Sequence, residues 1–85
     1  MQTTPLVNIR FRYWGDSLEN IFDKLPTARV VGIDVEYSLV EVGVQWQGIK
    51  GWLLAQSNYV ELLYPEDFRE EIKETITEML QIYHK

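Results

Sequence analysis

Asn8, Arg10 and Arg12 are the first residues in this chain whose types and spacing point to chemistry. Alternate positions of an extended segment face the same way, so two planar guanidiniums and an amide would share one surface, a donor set suited to a carboxylate or a phosphate. Asp34 and Glu36, then Glu41, Gly43 and Gln45, fall at the same alternate spacing on the segments expected to lie beside that strand. Cross-strand ion pairing produces the same pattern. One surface therefore has two readings: a solvated sheet face laced by charge pairs, or a sensor for a small anion formed by Asn8, Arg10, Arg12, Glu41 and Gln45.

Catalytic groupings do not assemble as readily. His84 is the single histidine, and Ser17, Ser38 and Ser57 have none near them in sequence. The chain has no cysteine, which removes thiol nucleophiles, zinc ribbons and CxxC redox pairs. A phosphate-transferring enzyme would want a glycine-bearing loop of N–H donors after the first strand. Trp14-Gly15-Asp16 supplies one glycine and an unwelcome negative charge. Glu70, Glu71, Glu74 and Glu78 recur as the water-facing side of a helix. The expectation is a non-enzymatic domain with no metal and no cofactor. Of the three tryptophans, Trp46 and Trp52 are expected at the core or its edge, and Trp14, at a strand end beside Gly15, as the more exposed anchor for a partner.

The elements that must position these groups follow from periodicity. Residues 6–13 alternate Val7, Ile9, Phe11 and Tyr13 against Asn8, Arg10 and Arg12, the pattern of a half-buried strand. Asp16 or Ser17 is suited to cap a following helix, with Glu19 as a capping-box partner, and Leu18, Ile21, Phe22 and Leu25 form its apolar stripe up to Pro26. Residues 29–37 and 39–46 alternate again, Val31, Ile33, Val35 and Tyr37 in one run and Val40, Val42, Val44 and Trp46 in the next, so a hairpin turning near Tyr37-Ser38 is expected. A short helix over 47–56 opens at Gly48 and ends near Ser57-Asn58, where Asn tolerates a left-handed conformation. Residues 59–64 read as a fourth strand. Pro65, Glu66 and Asp67 then start a terminal helix on which Phe68, Ile72, Ile76, Met79, Leu80 and Tyr83 make one continuous face, closed by His84 and Lys85.

The order predicts an α+β fold: a ferredoxin-like βαββαβ sandwich, its antiparallel four-stranded sheet covered by helices on one face, with an added amphipathic C-terminal helix. Residues 6–85 read as a single domain after a loose lead-in over 1–5. In a 4-1-3-2 sheet the edges are residues 29–36 and 59–64. Edge strands leave unmatched N–H and C=O groups, and the second strand, with Val30 and Gly32, is the expected interface element.

Eighty-five residues with eight basic against thirteen acidic side chains carry a formal charge of −5, the wrong sign for coating a phosphate backbone. An RNA-binding sheet would also need aromatic residues on its open face, and Phe11, Tyr13 and Trp46 fall on the helix side by parity. Neither direct nucleic-acid binding nor a membrane is expected: no apolar run approaches the roughly 20 residues a bilayer requires, and no signal pattern opens the chain. The cytoplasm is the expected compartment.

Ile49-Lys50-Gly51-Trp52-Leu53-Leu54-Ala55-Gln56, followed by Val60-Glu61-Leu62-Leu63-Tyr64-Pro65-Glu66-Asp67-Phe68-Arg69-Glu70-Glu71-Ile72, carries a resemblance. The chain resembles the C-terminal extension domain, often called WCX, of bacterial WYL-domain transcriptional regulators. In that family an Arg-bearing strand rich in Val, Ile and Phe, here Val7-Asn8-Ile9-Arg10-Phe11, opens the domain. A middle helix follows with a Trp-Leu-Leu core, here Trp52-Leu53-Leu54, and then a strand leading into Pro-x-x-[Leu/Phe]-[Arg/Lys]-x-x-[Ile/Val], here Pro65 to Ile72. The resemblance runs from about Leu6 to Tyr83, with Ser57-Asn58 standing where the family commonly has glycine. It implies a non-catalytic regulatory and dimerisation module at the C-terminal end of a longer regulator. The implied partners are a second copy of the chain and the WYL domain of the full-length protein. DNA binding would sit in an upstream winged helix-turn-helix, and a small-molecule or nucleotide effector would be sensed by the WYL domain. The chain itself contains no Trp-Tyr-Leu tripeptide and no basic recognition helix.

Overall fold

The computed structural model describes residues 6–84; the expected lead-in over 1–5 and the closing Lys85 lie outside the described residues. Seven alternating residues form β1 (Val7–Tyr13), which pairs antiparallel with β3 (Ser38–Val44) on one side and β4 (Val60–Tyr64) on the other. β2 (Arg29–Ile33) completes the sheet in the order β2-β3-β1-β4, which read from the other edge is the 4-1-3-2 arrangement of a ferredoxin-like sheet. The fold is α+β, with α1 (Glu19–Lys24), α2 (Trp46–Ala55) and the terminal α3 (Glu66–Tyr83). No described helix is long and apolar enough to cross a membrane.

The core is one layer of side chains between sheet and helices. Ile9, Phe11 and Tyr13 from β1, Val40, Val42 and Val44 from β3 and Leu62 from β4 meet Ile21 and Leu25 of the first helical segment and Ile49 and Leu53 of α2. No polar side chain among the described residues is buried with them. Apolar burial is the main stabilising term of a domain this small, and here the alternation of two adjacent strands delivers it directly.

Departures from the expected elements are local. The first helix begins one residue later, at Glu19, with the Ser17 hydroxyl oxygen accepting the Glu19 N–H at 3.2 Å. Phe22 sits at the rim of this six-residue helix, exposed rather than part of a buried stripe. α2 opens at Trp46, so that indole belongs to the helix and not to the end of β3. Ser57, not Asn58, takes the left-handed φ of 61° in the turn that follows. Pro65 is the residue before α3 rather than one inside its first turn, and the Tyr64–Pro65 peptide is cis.

The hairpin departs most. A register shift between Val30 and Gly32 places Val30 opposite Val40, and β2 ends at Ile33, paired with Ser38. The turn spans residues 34–37, closed by the Asp34 N–H donating to the Tyr37 carbonyl at 2.8 Å, so its centre at Val35-Glu36 comes two residues before the expected site. Val31, Ile33 and Val35, expected to face the core, are 45%, 81% and 100% exposed. An alternation count cannot detect a bulge: the extra residue brings Val30, not Val31, opposite Val40, while Ile33, opposite Ser38, keeps its expected side at an uncovered strand end and Val35 falls in the turn.

Gly48 and Gly51 lie inside α2 with open space where a Cβ would stand. Each therefore carries the entropic cost of glycine in a helix with no packing reason for it. Gly51→Ala is expected to stabilise the domain by roughly 0.5–1 kcal/mol and to raise Tm by about 3–6 °C in thermal unfolding.

Candidate functional site

The open face of the sheet is built by register. Arg10 lies opposite Glu41 on β3, and Arg29 on β2 lies opposite the same residue from the other side. Both guanidiniums donate to that carboxylate, Arg10 to Oε2 and Arg29 to Oε1, each at 2.7 Å. On the other flank Arg12 lies opposite Glu61 of β4 and donates to it at 3.0 Å, while its guanidinium also stands 5.1 Å over the Tyr37 ring. The Arg10 hydrogen bond, more than any other contact, holds the Glu41 carboxyl below its ordinary 4.5; partial burial opposes the shift and Arg29 adds to it.

The expected set is thus only partly assembled. Arg10 and Glu41 meet, and Asn8 lies opposite Gly43, where its carbonyl oxygen leaves room for no more than a tight Cβ. Gln45 is exposed beyond the end of β3, and Asp34 and Glu36 ride in the hairpin turn, away from the arginines. Arg29 and Glu61, the partners that complete the network, lie outside the set anticipated from alternation. An anion approaching Arg10 or Arg12 must compete with the carboxylate each already holds through a single charge-assisted hydrogen bond.

Trp14 is half-buried like Trp46 and Trp52, not the exposed one of the three. Its indole tilts against Tyr37 at 5.6 Å, and its backbone N–H extends the sheet by donating to the Tyr59 carbonyl at 2.8 Å. Gly15 has a structural use, since any side chain there would overlap the Tyr13 ring, whose hydroxyl donates to the Ser17 carbonyl at 3.2 Å. Val30 and Gly32 are half-buried, Val30 paired with Val40 and Gly32 against Leu39; the exposed apolar groups of that edge are their neighbours.

A second polar centre joins α2 to α3. The Trp46 indole stacks on Phe68 at 4.2 Å with planes 3° apart, and its N–H donates to Glu71 Oε2 at 3.1 Å. Lys50, one turn after Trp46, reaches the same oxygen at 2.9 Å. These contacts, Lys50 first and the indole next, hold the Glu71 carboxyl below its ordinary range. Glu71 was grouped by sequence with the solvated acidic face. Its signal lay in matched spacing: Trp46 and Lys50 are one helical turn apart, as are Phe68 and Glu71, so docking the aromatic pair aligns the polar pair.

Between the same two helices and β4 lies an apolar groove of about 250 Å³, lined by Leu53, Leu54, Val60, Leu62, Ile72, Ile76 and Met79, with Ser57 and Asn58 at its border. Phe68 and Ile72 pack on the core, but beyond them Ile76, Met79, Leu80, Ile82 and Tyr83 are from 46% to 86% exposed. The continuous face expected on the terminal helix is covered only over its first turns.

No family model, curated protein or solved structure matches this chain. Its fold defines a small α+β sandwich with a paired-charge sheet face and an apolar helix that overruns its core.

Folded-state carboxyls held below their unfolded values bind protons less readily than the unfolded chain does. Their stabilisation is therefore complete above the unfolded value and is lost as pH falls through the folded one. Tm is expected to fall as pH drops below the ordinary carboxylate range near 4.5. Glu41→Gln combined with Glu71→Gln should lower Tm at neutral pH and flatten that pH dependence in calorimetry.

Proposed function

We propose that this domain is a non-catalytic regulatory module that works through protein contacts, the C-terminal extension of a WYL-type transcriptional regulator of the cytoplasm. DNA binding and effector sensing then belong to other domains of that regulator, and this one helps to hold its dimer. The observation that carries the reading is the concentration of unpartnered apolar surface on regular elements: Ile33 and Val31 on the edge strand β2, and Ile76, Met79, Leu80, Ile82 and Tyr83 on α3. Contiguous apolar patches on regular elements are the mark of interaction surfaces, whereas apolar residues scattered singly are ordinary. The resemblance in Val7-Asn8-Ile9-Arg10-Phe11, Trp52-Leu53-Leu54 and Pro65 to Ile72 gives the reading its family.

The paired arginines weigh against a direct anion sensor. A ligand that binds the folded state raises its melting temperature by mass action. Titration of the chain with phosphate, sulfate and nucleoside phosphates is expected to leave Tm within the drift that ionic strength alone produces. A saturable rise abolished by Arg10→Ala would instead assign the sheet face as the effector site. Sedimentation equilibrium is expected to show reversible self-association, and a chain that stays monomeric up to roughly millimolar concentration would overturn the contact reading.

A further inference from the structure

We propose that the overrunning half of α3 is the self-association surface, and that two copies pair antiparallel along it so that each helix end lies over the other's groove; this rests on the contact reading above. α3 has 18 residues against 10 in α2, so at about 1.5 Å per residue it is longer by about 12 Å than the helix beside it. Its first turns are taken up by the core through Phe68 and Ile72 and by the Glu71 clamp. Its last turns are free.

Ile72, Ile76, Met79 and Tyr83 follow spacings of four, three and four, the seam of a helix that packs on another helix. The positions flanking the seam in the last two turns are Leu80 and Ile82, which broadens it with apolar groups. Glu70, Glu74 and Glu78 line the opposite side of the helix, with Lys73 and Thr77. For a chain of charge −5 to pair with itself, the acidic side chains must stand off the seam, and here they do.

The area fits one occupant. Ile76, Met79, Leu80, Ile82 and Tyr83 are 50%, 46%, 55%, 65% and 86% exposed. At about 200 Å² for a fully exposed large side chain they present roughly 600 Å² per chain, so a two-fold pair removes on the order of 1,200 Å² from solvent, the lower bound for stable dimers. The groove wall of Leu53, Leu54 and Val60 continues the same surface and adds to it. An antiparallel arrangement also sets the two helix dipoles in opposition. The alternative edge, β2, is a five-residue strand with a register shift in the middle, a feature that blunts regular strand pairing.

Because the chain contains no cysteine, a single introduced one reports a single contact. Met79→Cys, at the seam near the two-fold axis, is expected to give a disulfide-linked dimer under mild oxidation, while Thr77→Cys and Ile33→Cys do not. Leu80→Glu with Tyr83→Glu, both more than half exposed, should leave the circular dichroism spectrum and Tm close to the parent while weakening self-association at least tenfold in sedimentation equilibrium. A dimer that survives this double variant, or that crosslinks through Ile33→Cys instead, overturns the α3 proposal and leaves the contact reading standing. Failure of the parent chain to associate at all overturns both.

Discussion

β1 is a central strand, paired with β3 on one side and β4 on the other, and its register is the constraint on which the other parts depend. With Phe11 opposite Val40 and Leu62, the apolar residues of three strands fall on the helix side together. The same register sets Arg10 opposite Glu41 and Arg12 opposite Glu61 on the other face. A slip of one residue would bury the guanidiniums and expose the core, so one hydrophobic requirement fixes the polar network without any further demand from the charges. The ion pairs are exposed and individually weak, and they follow the register rather than setting it.

The second constraint is a mismatch of lengths. α2 and β4 offer α3 a bed of apolar side chains long enough for its first turns, and the stack of Trp46 on Phe68 with the shared Glu71 oxygen locks the helix at that end. Past Ile72 the bed runs out while the apolar seam continues. The groove beside Leu53 and Met79 and the exposed side chains up to Tyr83 are two parts of one unfinished interface. The polar sheet face, by contrast, pairs its three arginines with Glu41 and Glu61.

That contrast orders the functional readings. Arg10 and Arg12 each already engage a carboxylate that an incoming anion must displace or share, whereas an apolar helix face in water has a standing free-energy reason to find a cover. The hairpin edge falls between the two: Ile33 and Val35 are open to solvent, but the shift at Val30 to Gly32 spoils the ladder a new strand would need.

Alternation and helical spacing were enough to read, from sequence, the number, order and kind of the elements, the 4-1-3-2 strand order and most of the core, including Ile9, Phe11, Val40, Val42, Ile49 and Leu53. These are local or nearly local properties, set by which side of a strand or helix each residue must present. The residues that complete the polar network were not legible in the same way. Arg29 and Glu61 come from the two outer strands, and only the pairing register brings them to Glu41 and Arg12. The bulge in β2, the entry of Trp46 into α2 and the recruitment of Glu71 by Trp46 and Lys50 likewise arise from packing between segments distant in the chain. The amphipathic face of α3 was written in the sequence, but how much of it the domain could cover was decided only in three dimensions, because coverage depends on the lengths of the elements beside it.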